Sequence, residues 1–387
     1  MPPPIARNGP LLALGGVSLL AGLTGALVLL GLGMPSATTR LAGSHGLLMT
    51  LGFLGTLIAL ERAVALARWW GFGAPLAGGL GGIALVAGLP VVVGGALLVA
   101  AAAVYVAMYV AFDRIERSLH TTVQAVGAVA WLVAAALVVV GRPIGAVVPW
   151  LAAFLVLTIV GERLELSRLR GRTRAAVAAC VGVVSLFLGG VALTLVDPDL
   201  GTRVAGAGLV GLAMWLARYD LARRTVRMPG VTRFVALSLL AGQAWLAVGG
   251  VIWLWHGALI AGPAYDAGLH AIFLGFAISM VFGHAPVILP AVLRVSLPYR
   301  PVFYVHLVVL HAGLLLRIVG GDVLGSTTAW QLGGVLGVAA LLLFVAASAA
   351  STFVGRRADA RTRAEAKARA EARAARDGVT SSGIPTR

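Results

Sequence analysis

Charged residues are scarce in this sequence. They make up 11% of the 387 residues, whereas 60% of the residues are hydrophobic. A soluble domain carries about 25% charged residues, so this chain has too little polar surface to cover a water-exposed globule. The composition therefore excludes an ordinary soluble enzyme and predicts a protein whose surroundings are lipid.

Cysteine and lysine are almost absent. The single cysteine, Cys180, excludes a disulfide framework, a thiolate zinc site and a covalent c-type haem motif. The only lysine is Lys367, and the chain has no glycine-rich loop that ends in Lys-Ser or Lys-Thr, which excludes a P-loop. The net charge of +16 comes from arginines in short loops and in the C-terminal tail, so nucleic acid is not an expected partner.

Long apolar segments fill most of the chain. Most hold about 20 residues, enough to cross about 30 Å of hydrocarbon. The predicted spans, numbered 1 to 12 in chain order, cover residues 10–33, 41–66, 73–89, 90–112, 120–140, 144–161, 175–196, 203–222, 231–256, 265–290, 299–320 and 330–354. The sequence thus predicts an all-α, polytopic membrane protein with 12 transmembrane helices in residues 1–354. Residues 355–387 are predicted to form a cytoplasmic basic tail, helical at first and then disordered.

Basic residues are distributed unevenly among the loops. With the N-terminus inside, nearly all of the 30 Lys and Arg residues lie at the chain ends or in loops that lead from an even-numbered span to an odd-numbered one. The opposite side holds Arg40, Arg142 and Arg203, with Arg317 near a helix end. This asymmetry follows the positive-inside rule. It predicts a multi-pass protein of the inner or plasma membrane, with both termini cytoplasmic and the lipid bilayer as its first partner.

One sequence pattern occurs more than once. Phe-Leu-x3-Ile-x2-Glu-Arg stands at residues 53–62 in span 2 and again at 154–163 in span 6, and span 10 repeats its apolar part at 273–278. These spans run in the same direction and lie four helices apart, which predicts three pseudo-repeated four-helix arcs. The Glu-Arg pair at the inner end of spans 2 and 6 is equally typical of an interfacial charged pair that ends a membrane helix.

Histidines inside the membrane are the main functional signal, because intramembrane ionisable residues are rare and costly. His45 and His270 lie about 6 and 7.5 Å below the outer surface, on spans that run in the same direction. Two imidazoles at one depth can ligate a haem from both sides, so we predict a bis-His b-type haem there. Arg317 is the predicted partner of its propionates, and Met49 is an alternative axial ligand. The structural alternative is that both histidines only hydrogen-bond neighbouring helices.

A second group of histidines lies toward the inner side. His284 and His306 are expected at similar depth, with His311 about 7.5 Å nearer the midplane. Neutral imidazole suits copper and iron, so copper or a second haem is the predicted ligand of this group. Five residues separate His306 from His311, about 140° around a helix, so these two side chains cannot point the same way.

Short motifs surround these histidines. They are His45-x3-Met49-x2-Gly52-Phe53, His270-x4-Gly275-Phe276, Gly283-His284-Ala-Pro286 and His311-x5-Arg317. Together with the twelve spans, they resemble subunit I of the haem-copper oxidases and, more closely, the NnrS family of haem- and copper-containing membrane proteins linked to nitric oxide. The resemblance implies haem binding, with a role in nitric oxide metabolism or one-electron transfer.

The sequence also departs from the oxidases. In those proteins a copper ligand lies on the sixth span and a His pair on the seventh, whereas spans 6 and 7 here contain no histidine. Span 6 also lacks the tyrosine that would complete an oxygen-reducing centre. By this comparison, dioxygen reduction is not expected, whereas haem binding and a nitric oxide-related oxidoreductase activity remain compatible with the sequence.

Three functions are therefore open at the level of sequence. The first is a haem protein that works with an electron-donor protein or with a respiratory or denitrification partner. The second is a transporter or metal-handling protein that moves copper, haem or a small solute past the inner histidines. The third is a structural subunit whose histidines only join helices.

Overall fold

The computed structural model describes residues 4–167, 173–293 and 297–381. Within these ranges every regular element is a helix and no strand occurs. The all-α fold follows from the long apolar runs. Lipid offers no hydrogen-bond partners to the backbone, and a helix satisfies all of its backbone hydrogen bonds within one segment.

Twelve helical segments are long and apolar enough to cross a membrane. They are Asn8–Leu29, Ser36–Leu66, Trp69–Val86, Val91–Ile115, Leu119–Val139, Ile144–Leu166, Arg174–Leu193, Pro198–Tyr219, Val231–His256, Pro263–Val292, Phe303–Val323 and Thr327–Gly355. Each corresponds to one predicted span, with bounds that differ by a few residues. Large apolar side chains such as Val110, Leu186 and Val251 are exposed on their outer faces, as expected for a surface that meets lipid. The chain is therefore a multi-pass membrane protein.

Several spans contain or adjoin shorter elements. Three contain π-helical segments: Leu48–Gly55 within span 2, Ala271–Ile278 within span 10 and Leu316–Val323 at the end of span 11. Spans 2 and 3 begin with the 3₁₀ helices Ser36–Thr38 and Trp69–Phe72, and the connection between spans 8 and 9 contains the short α-helix Ala222–Thr225. The last helix, Thr327–Ser381, continues through most of the predicted tail; residues 382–387 lie outside the described part of the chain.

The third span is short and is followed at once by the fourth. Its helix ends at Val86, and Gly88 adopts a φ of 75°. This left-handed conformation costs glycine little, so the chain reverses over a few residues. The predicted count of twelve spans is thereby preserved.

Consecutive spans pack against one another, and span 1 also contacts spans 10 and 12, so the set of helices closes on itself. Spans 2 and 6 are the most enclosed, with 67% and 78% of their most apolar stretch buried, against 33% for span 7. Span 10 contacts both of them. Spans 2, 6 and 10 therefore meet one another inside the bundle. We call the end at which span 2 begins the His45 side, and the end at which it finishes the Glu61 side.

Candidate functional site

The three π-helical segments coincide with the predicted haem residues. The segment in span 2 contains Met49 and begins three residues after His45, the segment in span 10 begins directly after His270, and the segment in span 11 contains Arg317. A π-helical turn widens the helix by one residue and occurs frequently at functional sites. The three segments thus lie next to, or contain, the residues predicted to hold the haem.

His45 and His270 make the same kind of hydrogen bond. The Nδ1 atom of His45 lies 2.7 Å from the carbonyl oxygen of Gly22 in span 1, and Nδ1 of His270 lies 2.8 Å from the carbonyl oxygen of Asp266. A carbonyl only accepts, so both Nδ1 atoms carry the proton. In this tautomer the lone pair is on Nε2, which is the arrangement of a histidine that ligates a metal. His45 lies within electrostatic range of His270, Asp266 and Arg317.

Two glycines of span 1 allow it to pack closely against span 2 near His45. A Cβ atom at Gly25 would lie 2.6 Å from the Leu41 carbonyl oxygen and 3.3 Å from the Cβ atom of His45. A Cβ atom at Gly22 would lie 2.7 Å from the sulfur of Met49. The absence of side chains at these two positions therefore lets spans 1 and 2 approach at the level of His45 and Met49.

Arg317 binds the carboxylate of Asp266, a residue not predicted as part of the site. Its Nε and one terminal nitrogen each donate to Asp266 at 2.7 Å, a bidentate ion pair. Trp330 Nε1 donates to the same carboxylate at 3.1 Å, and the guanidinium carbon lies 4.8 Å from the centre of the Trp330 ring. The carboxylate also lies 3.3 Å from Nδ1 of His270. Asp266 thus joins His270 to Arg317, the predicted propionate partner.

Asp322 adds a second acid near this group. It lies in the π-helical segment of span 11, within electrostatic range of Asp266 and Arg317. Its Oδ2 atom is buried and has no hydrogen-bond partner among the described residues. A buried carboxylate oxygen without a donor is costly, so the acid at this position requires a proton, a water molecule or a ligand group.

Two of the inner histidines, His284 and His311, have polar partners. Nδ1 of His284 lies 2.6 Å from the Met280 carbonyl, and its Nε2 accepts from Arg163 at 2.8 Å. His311 accepts from Trp245 Nε1 at 3.0 Å through Nδ1, and its Nε2 lies 3.5 Å from the hydroxyl of Ser279.

His306 has no polar partner among the described residues. It is 2% exposed, and neither ring nitrogen has a hydrogen-bond partner there. Four phenylalanines surround the imidazole at centroid distances of 4.6 to 6.0 Å: Phe234, Phe282, Phe303 and Phe344. Within the described ranges, no three His, Cys, Asp or Glu side chains come together as a metal site. Copper or a second haem at His284, His306 and His311 stays a prediction.

The two Glu-Arg pairs meet inside the protein. A terminal nitrogen of Arg62 donates to Glu61 and lies 3.5 Å from Oε1 of Glu162. The side chains of Glu61 and Glu162 are only 18% and 13% exposed. The repeated pattern therefore places both carboxylates at one buried point on the Glu61 side, where one guanidinium lies between them.

A cavity of about 530 Å³ lies beside these carboxylates. Spans 1, 2, 6, 10 and 12 form its wall, which is largely apolar, and Glu61, Glu162 and His284 supply most of its charged or basic groups. Equivalent positions of the repeated pattern line it in two layers. One layer is Leu57, Thr158 and Ala277, and the other is Glu61, Glu162 and Val281.

The role of Asp266 was not predicted from the sequence. Asp266 lies four residues before His270, a spacing that places both on one helix face, and this was the available signal. Nothing in the linear sequence indicates that Asp266 binds Arg317, which lies 51 positions further on.

Comparison with known proteins gives a family without a described activity. The chain matches no curated protein and no solved structure. Residues 9–353 match a family described as "Domain of unknown function (DUF8744)", and because this match covers nearly all twelve spans, the chain belongs to that family.

Proposed function

We propose that this protein binds a b-type haem between His45 and His270 and serves in one-electron transfer or in nitric oxide metabolism. The observation that carries the proposal is the shared tautomer of the two histidines. Each imidazole donates from Nδ1 to a backbone carbonyl, so each Nε2 is available as an axial ligand. When bound, a haem supplies one-electron redox chemistry or a site for a diatomic gas.

The surroundings of His270 fit such a ligand. The carboxylate of Asp266 near Nδ1 increases the electron density of the imidazole and fixes the orientation of the ring. Arg317 is held at the same level by its bidentate pair with Asp266. The pair uses Nε and one terminal nitrogen, so the other terminal nitrogen is the donor that a propionate would use.

The predicted three-arc arrangement is part of the same proposal. It is supported by the two layers of equivalent residues that spans 2, 6 and 10 contribute to one cavity. An interior of three equivalent spans is what the resemblance to haem-copper oxidase subunit I and to the NnrS family implies. The proposed location is the inner or plasma membrane, with both termini cytoplasmic and the His45 side facing outward, where an electron-donor protein would dock.

The test is the visible spectrum of the purified protein, first oxidised and then reduced with dithionite. We expect a sharp low-spin b-type band in the wild type and its loss in His45→Ala and in His270→Ala. His256→Ala is the matched control, since His256 lies exposed at the end of span 9. A wild-type protein that remains colourless after expression with ample haem would contradict the proposal.

A second candidate function is transport, and the cavity beside Glu61 and Glu162 is the observation that favours it. In this case the purified protein is colourless, and uptake of copper or of a small solute depends on His284 and His306. Measuring haem content and uptake on the same preparations separates the two candidates.

A further inference from the structure

The cavity on the Glu61 side has the size and lining of a small-molecule site. Its volume of about 530 Å³ lies within the roughly 300 to 1,000 Å³ typical of ligand pockets. Its depth extends from Phe53 and Ala277, at the middle of their spans, to Leu12 and Phe353, near the ends of spans 1 and 12. Most of the wall is hydrocarbon, so water gains little from filling it.

The wall of the cavity reaches the outer surface of the bundle. Val345 and Phe353 of span 12 both line the cavity, and they are 44% and 55% exposed. The surface around them belongs to a membrane span, so this side of the cavity opens toward lipid. A molecule that enters by this path comes from the bilayer and must itself be lipophilic.

Acceptor groups lie at the polar end of the cavity. Among the described residues, Glu162 contacts one cation, Arg62. Their distance of 3.5 Å is the outer limit of a hydrogen bond. It is this long because Arg62 lies closer to Glu61. The carboxylate of Glu162 therefore retains most of its acceptor capacity.

The charged groups that line the cavity are acids. Glu61 and Glu162 both line it, none of its described lining residues is Lys or Arg, and Arg62 compensates Glu61 more closely than Glu162. His284 contributes no charge, because its Nδ1 donates to a carbonyl while its Nε2 accepts from Arg163. A cation is therefore the complementary occupant.

We propose that this cavity binds a lipophilic monocation that enters from the bilayer between spans 1, 10 and 12, with its positive charge against Glu162 and its apolar groups along spans 2, 6 and 10. The inference concerns binding alone and does not rest on the haem proposal.

The test is equilibrium binding of radiolabelled tetraphenylphosphonium to the full-length protein in nanodiscs. Tetraphenylborate, an anion of the same shape, and neutral triphenylphosphine oxide are the comparison ligands. We expect saturable binding of the cation alone. Glu162→Gln is expected to weaken it by about tenfold or more, since a desolvated charge partner is lost. Glu116→Gln, at an exposed loop position, is expected to leave binding unchanged.

A second pair of variants tests the cavity itself. Gly16 lines it, and a Cβ atom at this position would meet no atom within 4 Å. Gly16→Phe therefore directs a ring into the cavity without a backbone clash, and we expect it to abolish binding. Gly182 is also in open space, on the exposed face of span 7, so Gly182→Phe is the matched control.

Three results would overturn the proposal. Equal retention of the cation by the wild type and by Gly16→Phe would indicate partition into lipid rather than binding in the cavity. Preferential binding of tetraphenylborate would contradict the assigned charge. Cation binding that Gly16→Phe abolishes but Glu162→Gln leaves unchanged would remove Glu162 from the site. Thermal unfolding of each variant shows whether the protein remains folded.

Discussion

Arg62 lies between two carboxylates that are 101 residues apart in the chain: it donates to Glu61 and lies 3.5 Å from Glu162. All three side chains are less than one fifth exposed. Removing the cation leaves two buried acids without compensation, which costs much more than losing a surface ion pair.

Arg62→Met is therefore expected to lower the free energy of unfolding by about 3–5 kcal/mol. The measurement is thermal unfolding in detergent, followed by scanning fluorimetry. Arg68→Met, on an exposed arginine just beyond the same helix, is the control and should change stability little. Adding Glu61→Gln and Glu162→Gln to Arg62→Met should restore much of the loss; no recovery would argue against charge as the cause.

Asp266→Asn tests the bidentate pair on the His45 side. The substitution keeps the size of the side chain but leaves the buried Arg317 guanidinium without its counter-charge, so we expect a loss of about 3–5 kcal/mol. Asp199→Asn removes the exposed ion pair with Arg203 and should have little effect. If haem is present, Asp266→Asn should also raise its midpoint potential, since His270 becomes a weaker donor. Equal stability of both variants would contradict the structural role of Asp266.

Gly25→Ala tests how closely span 1 must approach His45. The new methyl group would meet the Leu41 carbonyl, so the two spans must separate, at a cost of about 1–3 kcal/mol. Gly16→Ala has open space and should be neutral or stabilising by roughly 0.5–1 kcal/mol, as expected for removing glycine from a helix. Haem content should fall only in Gly25→Ala. The same content and stability in both variants would show that the approach of the spans is not critical.

His306→Phe and His311→Phe should change stability in opposite directions. His306 is buried among four phenylalanines with both nitrogens unpaired in the described structure, so phenylalanine at this position should be neutral or stabilising. His311→Phe removes the acceptor of Trp245 Nε1 and should cost about 1–3 kcal/mol. Metal analysis of the same preparations tests the predicted copper site, because a ligand role for His306 would make its replacement lower both metal content and stability.

The orientation predicted from arginine distribution can be measured with cysteine labelling. Cys180 is buried, so the wild-type chain should give little background. Arg142→Cys and Arg68→Cys place a thiol in exposed loops on opposite sides of the bundle. With a membrane-impermeant maleimide on intact cells, we expect labelling at position 142 only. Labelling at position 68 alone would reverse the predicted topology.

The helices could be predicted well because hydrophobicity decides where a chain crosses a membrane. Length and apolarity identified all twelve spans, and the similar depth of His45 and His270 stays a prediction from the rise per residue. The direction in which a side chain points could not be predicted in the same way. His284, His306 and His311 lie on adjacent spans, yet each has a different set of neighbours, because small rotations of packed helices decide which faces meet.

Contacts between charged residues that are far apart in the chain could not be predicted from the sequence either. The sequence does not indicate that Arg317, the expected propionate partner, binds Asp266. The Glu-Arg pattern indicates either a repeat or two interfacial helix ends. The structure brings Glu61 and Glu162 together in the interior. In both cases the sequence shows that a buried charge needs a partner, but only the packing of the spans identifies it.

The π-helical segments change the rotational phase of the helices in spans 2, 10 and 11. Each extra residue advances the helix by about 100°, the angle of one residue in an α-helix. The two halves of span 2 therefore follow different phases, one that turns His45 toward Gly22 and one that turns Glu61 toward span 6. A single-residue deletion within Leu48–Gly55 would bring the two halves into one phase and rotate one site away from its partners while leaving every residue of both sites in the chain.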